Sequence, residues 1–201
     1  MLLKPPDRER GVKQERILRI LLTHPDGELT KYRIAQTADV SEPWVREYTA
    51  RLAGNGWLDD TAVVQPRALY EEWREVRVSP TEVAVAFQQP MDLLAETDLT
   101  YALTTYQAEN VIQGFLFPST TDLYVHPEDT GDWTTVIEER GLLGGGNTRL
   151  RVTDAHVFDQ QQRRDGYPVV STPQLIVDLL DEGGPCTEAA EHLIDAVHGG
   201  E

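Results

Sequence analysis

Between Gln14 and Val64 the apolar residues recur at helical spacing in three short runs, each closed by a turn, and two strand-like stretches follow. This order constrains the fold more than any other feature of the chain. In the first run Ile17, Leu18, Leu21 and Leu22 share one side of a helix from Gln14 to Thr23, which His24-Pro25-Asp26-Gly27 ends. Thr30 is placed to cap a second helix whose Ile34, Ala35 and Ala38 face inward, and Asp39-Val40 makes the turn. Ser41 is placed to cap a third helix, with Pro43 in the first turn, where a missing N–H does no harm. Val45, Tyr48, Thr49 and Leu52 then follow i, i+3, i+4, i+7 spacing, and Gly54-Asn55-Gly56 accepts the left-handed backbone that ends a helix. Trp57 and Leu58 begin a strand, Asp59-Asp60 turns it, and Thr61 to Val64 returns.

Three helices and a hairpin are the winged-helix plan. Leu29-Thr30-Lys31-Tyr32-Arg33-Ile34-Ala35, Val40-Ser41-Glu42-Pro43-Trp44-Val45-Arg46, Leu52 and Gly56-Trp57-Leu58 together resemble the pattern shared by winged-helix regulators of bacteria and archaea. The resemblance implies a third helix that enters the major groove of double-stranded DNA, at an angle fixed by the helix before it. Its side chains not used for packing are Ser41, Glu42, Trp44, Arg46, Glu47, Ala50 and Arg51. Of these Arg46 is the first candidate for a base contact, because one guanidinium engages both acceptors of guanine. Lys31, Tyr32 and Arg33 at the start of the second helix are candidates for phosphate contacts, as are Arg8, Arg10 and Lys13 of a polar, proline-containing N-terminal arm. A homodimer is expected, since two-fold pairing doubles the contact made by one helix.

Beyond the hairpin, Leu69, Trp73 and Val76 mark a connecting helix from Pro66 to about Arg77. Strands are expected over Thr81–Phe87, Leu99–Thr104, Leu123–His126 and Arg149–Val152, a helix over Thr105–Gly114, and a turn at Gly144-Gly145-Gly146. Ser171 opens a final helical pair broken at Gly183-Gly184-Pro185. The fold class is therefore α+β: an N-terminal winged helix-turn-helix over 1–65, a connector helix over 66–80, and a mixed α/β domain over 81–201. The segments Tyr101 to Glu109, Asp122-Leu123-Tyr124-Val125 and Pro168 to Leu180 resemble the C-terminal domain of AbiE-type antitoxins, a family that also begins with a winged helix. That resemblance implies a regulator that represses its own promoter and, in complete systems, neutralises a nucleotidyltransferase toxin as its protein partner. Ser171-Thr172-Pro173-Gln174 also has a purely structural account, a helix cap that Gln174 completes as a capping box.

Composition narrows the chemistry. The net charge of −16 argues against a nucleic-acid partner until it is divided along the chain. Residues 1–60 carry ten Lys/Arg and ten Asp/Glu, and the remainder carries eight against 24, so all the excess acid lies outside the helical segment. Lysine is nearly absent while arginine supplies the other cations, a combination that resembles proteins of salt-loving archaea, whose acidic surface keeps them soluble. Cys186 is the single cysteine, which excludes a disulfide framework and a thiolate zinc cluster. No apolar run is long enough to cross a membrane and the start lacks the order of a secretory signal, so a cytoplasmic protein is expected. Three function classes are carried forward. The first is a DNA-binding regulator, the second a module whose winged helix contacts protein, and the third an enzyme acting on nucleotides. The third has little support: in Pro118-Ser119-Thr120-Thr121-Asp122-Leu123-Tyr124 the second metal-holding acid is replaced by Tyr124, and the triple glycine lacks the Lys-Ser/Thr of a phosphate loop. His24, His126, His156, His192 and His198 lack metal-ligand spacing, so no catalytic residue, metal or cofactor is expected.

Overall fold

The computed structural model describes residues 2–7 and 10–199. Helices α1 (Val12–Thr23), α2 (Lys31–Ala38) and α3 (Glu42–Gly54) are followed by the short hairpin β1 (Leu58–Asp59) and β2 (Ala62–Val63), an arrangement consistent with a winged-helix-like unit. The Thr30 hydroxyl accepts from the Arg33 amide as the spacing predicts, but the Ser41 hydroxyl makes no capping bond although it stands at the N-cap of α3. Asp39 turns the chain between α2 and α3 in the left-handed region, at φ 52. The hairpin is braced from behind by the loop before α2, where the Val63 amide donates to the Pro25 carbonyl at 2.7 Å.

The expected one-sided apolar stripe of α1 is too narrow. Glu15, Ile17, Leu18, Arg19, Ile20, Leu21 and Leu22 are all buried, because α1 is packed by α2, by α4 (Pro66–Val76) and by the later helix α8 (Thr172–Glu182). A helix covered on all sides buries its polar positions too, and those positions must then find partners. At its start Gly11 is irreplaceable. Its φ is +109, and a Cβ there would stand 2.0 Å from the Val76 carbonyl oxygen at the end of α4.

The rest of the chain builds one mixed sheet. Its strands are β3 (Thr81–Phe87), β4 (Tyr101–Thr104), β5 (Thr121–Val125), β6 (Gly141–Leu143), β7 (Thr148–Val152), β8 (Gln162–Arg164) and β9 (Tyr167–Val169). They lie in the order β6-β3-β7-β5-β4-β9-β8, with β5 parallel to β7 and β4 parallel to β9. Helices α5 (Pro90–Glu96), α6 (Thr105–Ile112), α7 (Thr130–Arg140), α8 and α9 (Pro185–His198) cover it. The triple glycine forms the turn from β6 to β7, with Gly144 and Gly145 at positive φ.

Strand register separates two unlike faces. Glu82 stands opposite Arg151, which stands beside Tyr124; Arg149 stands beside Asp122, which faces Thr104. The alternate positions Val83, Val85, Leu123, Val125, Leu150 and Val152 are apolar. The apolar face packs α5 and α7, seen in the edge-on contact of Tyr101 with Trp133 and the bond from the Tyr101 hydroxyl to the Leu94 carbonyl. The polar face takes α8 through Asp178, whose carboxylate accepts from Arg77, from the Tyr124 hydroxyl at 2.9 Å and from Thr104 at 2.5 Å. Burial alone would raise the Asp178 carboxyl. The Arg77 and Arg151 guanidiniums outweigh it and hold the group below the usual carboxylate range.

The two halves meet through buried charge. Arg19 of α1 donates to the Gln174 side-chain oxygen from Nε at 3.0 Å and from Nη2 at 2.7 Å, and to His156 Nδ1 at 2.7 Å, above the Trp73 ring. Gln174 is thereby committed to the junction. Ser171 still caps α8 by accepting from the Gln174 amide, but the capping box is not closed by the glutamine side chain. Arg16 grips Asp154 at 2.5 Å and 2.8 Å and the Ala38 carbonyl at 3.1 Å. Glu15 accepts from the Val78 amide at 2.5 Å and from the Trp73 indole at 3.1 Å. A single cluster of buried apolar residues runs from Leu3 to Ile194 through both halves.

Two outcomes follow from this junction. Arg19→Ala strands Gln174 and His156 in a buried site and should lower unfolding free energy by about 3–5 kcal/mol in a urea titration. His156 accepts from Arg19 at Nδ1, so its proton sits on Nε2 and points to the Thr37 carbonyl at 3.2 Å. Burial, then the charge of Arg19, push its pKa from 6.5 down to about 4. The folded state binds this proton less well than the unfolded chain. Stability held above pH 6.5 is thus lost as pH falls toward 4, by roughly 2–3 kcal/mol, and His156→Gln should flatten that part of the wild-type pH–stability curve.

Candidate nucleic-acid interface

The packing of α3 sorts its side chains into three groups. Val45, Tyr48, Thr49 and Leu52 are buried, as their spacing predicts. Pro43, Arg46, Glu47 and Ala50 are exposed and form the outermost line of the helix. Trp44 and Arg51 lie on the flank toward α4. The Trp44 ring sits 5.2 Å from that of Tyr48, and the Arg51 guanidinium lies 5.0 Å over the Tyr48 ring while pairing with Glu72 of α4. The Tyr48 hydroxyl donates to the same carboxylate at 3.1 Å. Burial and the Glu72 charge push its pKa well above the ordinary tyrosine value, so it stays a neutral donor.

Arg46 reaches solvent, with 62% of its side chain exposed, and Glu42 one turn earlier holds it at 2.5 Å through Nη2 and 3.0 Å through Nε. The pair directs the guanidinium back along the helix, with a stabilisation of about 0.2–0.5 kcal/mol. Neither Arg46 nor Arg51 is sealed against the acidic half of the molecule.

On α2, Tyr32 is 54% exposed and accepts from the Gln36 side chain at 2.8 Å, and Gln36 in turn accepts from Arg33 at 3.0 Å. This chain of three side chains runs along the outer surface of α2. Lys13 of α1 joins it where Tyr32, Gln36, Asp39, Ser41 and Glu42 line a shallow groove of about 440 Å³ at the helix–turn–helix corner. Lys31 points elsewhere: its ammonium is 2.6 Å from Asp60 at the hairpin tip. Arg10 is exposed and reaches a second cleft between α1, α3 and α4, and Arg8 lies outside the described residues.

The electrostatics of this surface are nearly balanced. Arg46, Arg51 and Lys31 each carry a carboxylate partner, whereas Lys13 and Arg33 have none among the described residues. Asp59 and Asp60 make the hairpin tip acidic. The sequence pattern missed Gln36 as the link between Tyr32 and Arg33, although their i, i+3 and i, i+4 spacing carried the signal. It also had no means of showing that Asp60 would take Lys31, a contact between segments far apart in the chain.

In the C-terminal half Asp122 is fully buried and accepts from the Thr105 hydroxyl and from Arg149 at 2.6 Å and 3.1 Å, so its oxygens are occupied by protein donors. Among the described residues no group of three histidine, cysteine, aspartate or glutamate side chains is placed to hold a metal, and no helix is long and apolar enough to cross a membrane. Cys186 is buried at the start of α9 beside the Tyr106 hydroxyl, and burial pushes its thiol above the ordinary value. Comparison of the chain with protein-family models, curated proteins and solved structures found no match.

Proposed function

We propose that this protein binds double-stranded DNA in a sequence-specific way and regulates transcription, with α3 in the major groove. The observation that carries this reading is the outer line of α3. Pro43, Arg46, Glu47 and Ala50 are exposed, and Arg46, paired with Glu42, keeps 62% of its side chain in solvent. A guanidinium so held can meet the two acceptors of guanine, and the small Ala50 allows close approach to a thymine methyl. Lys13, Tyr32, Arg33 and Gln36 flank the helix and suit contacts to the phosphates of one strand. A homodimer that presents α3 twice would bind a palindrome upstream of its own gene, the autorepression that the antitoxin resemblance implies. The protein is read as non-catalytic, so labelled triphosphates with magnesium should remain unchanged.

Because most cations near α3 are already compensated, counterion release contributes little and base contacts carry more of the affinity. In a mobility-shift assay against its own upstream region, Arg46→Ala should weaken binding by about 10-fold or more, equivalent to roughly 1–3 kcal/mol for one bidentate base contact. The logarithm of affinity should fall with the logarithm of salt with a slope of only about −2 to −4. Retention that lacks sequence preference, or that Arg46→Ala leaves intact, would instead favour the second reading, a protein-contacting module. The acidic hairpin tip at Asp59 and Asp60 speaks for that alternative, since it would repel a phosphate backbone.

A further inference from the structure

The seven-stranded sheet ends in two unlike edges. Strand β8 carries Gln162, Arg163 and Arg164, and both arginines are exposed, so charge protects that edge from a further strand. Strand β6 has no such protection. It consists of Gly141, Leu142 and Leu143, pairs on one side with β3, and has no strand on its other side among the described residues. Leu142 is 74% exposed and Leu143 56%. Leu143 stands opposite Val85 and so projects on the apolar face, while Leu142 stands opposite Ala86 and projects on the other. An open edge with a bare leucine on each face is suited to receive another strand. We propose that this strand is the β6 of a second copy, paired antiparallel about a two-fold axis so that the sheet continues from one protein into the next.

Charge selects the occupant. The chain holds 34 Asp/Glu against 18 Lys/Arg, so two copies repel wherever ordinary surfaces face each other. Residues 141–148, which make β6 and the turn after it, contain no charged side chain. A second copy can therefore approach this edge without setting carboxylate against carboxylate, and a partner chosen for its own charge finds nothing here to recognise it. Two-fold pairing also requires a patch that complements itself. Identical antiparallel strands meet that condition, since each offers backbone N–H and C=O groups to the other and the leucines of one copy pack beside those of its partner.

Only the three residues of β6 from each copy enter the ladder, so the pairing is reversible and grows with concentration. The homodimer invoked for DNA binding gains a surface in this way. The β6 edge rests on that reading for its purpose and not for its existence.

The test is sedimentation velocity of the full chain without DNA, over a wide range of protein concentration and at low and high potassium chloride. We expect a monomer–dimer equilibrium that shifts toward dimer as salt rises, because screening relieves the repulsion between acidic copies while the contact itself holds no ion pair. Leu142→Glu sets like charges close together across the paired strands and should weaken dimerisation about 10-fold or more. Val64→Glu adds the same charge at an exposed residue of the N-terminal unit and should leave dimerisation unchanged. The melting curves of both variants are checked against wild type. Because Cys186 is buried, the Leu142→Cys protein should form a disulfide-linked dimer through its one accessible thiol on air oxidation. A chain that stays monomeric at every concentration, leaving the edge to another partner or to water, overturns the proposal. So do dimers that Leu142→Glu leaves intact, or equal weakening by Leu142→Glu and Val64→Glu. Dimers with the expected properties that fail to retain DNA support the β6 edge and remove only the DNA-binding reading.

Discussion

A guanidinium buried in the middle of the molecule decides how the two halves of this protein stand to each other. Arg19 is 2% exposed, and removing such a charge from water is costly unless every donor finds an acceptor. Its acceptors come from two distant places in the chain, Gln174 on α8 and His156 in the turn after β7, with Trp73 of α4 beneath it. Those three elements must be in position together for the charge to be tolerated, so one side chain of α1 sets where the connector helix, α8 and the turn after β7 lie. Arg16 with Asp154, Glu15 with the Val78 amide, and Arg77 with Asp178 extend the same principle around it.

The functional consequence is orientation. The helix proposed to read DNA packs on α2 and is tied to α4 through Glu72, and α1 joins α2, α4 and α8, so α3 has a fixed attitude toward the sheet. A regulator built in this way would change its output through what occupies the surfaces around α3, or through pairing of whole copies, more readily than through a hinge between its halves. Charge compensation is the second constraint. An acidic protein that has spent most of its arginines on internal pairs has few left to attract phosphates, and in the proposed DNA-binding role the weight of recognition would fall on groups on the outer line of α3.

The N-terminal elements were legible because their signals are local. Turn residues, an N-cap at Thr30 and a 3.6-residue period in α3 are written in neighbouring positions, and β3, β4, β5 and β7 were likewise marked by runs of strand-forming residues. The short strands β6, β8 and β9 were not. Gln162-Arg163-Arg164 has no apolar face, and Gly141-Leu142-Leu143 is too brief to show a period; both become strands only because a neighbour offers an unpaired edge. Helix α7 was hidden by Thr130-Gly131 and by its threonines, and is held by Trp133 and Ile137 one turn apart against the sheet. The same limit applies to the candidate interface. Exposure of Arg46 followed from helix spacing, whereas the engagement of Arg51 by Glu72 and of Lys31 by Asp60 depends on contacts that only the assembled fold provides.

The central claim is that the outer line of α3 lies within a DNA groove, and proximity can be measured directly. Ala50 stands exposed at the middle of that line, and the natural thiol, Cys186, is buried, so an Ala50→Cys protein can carry an iron chelate at a single accessible sulfur. Bound to its upstream region, the labelled protein should cut the DNA at a few adjacent nucleotides facing one major groove, repeated with two-fold symmetry. Cleavage spread evenly along the fragment, or none above that of the unlabelled protein, would contradict the account.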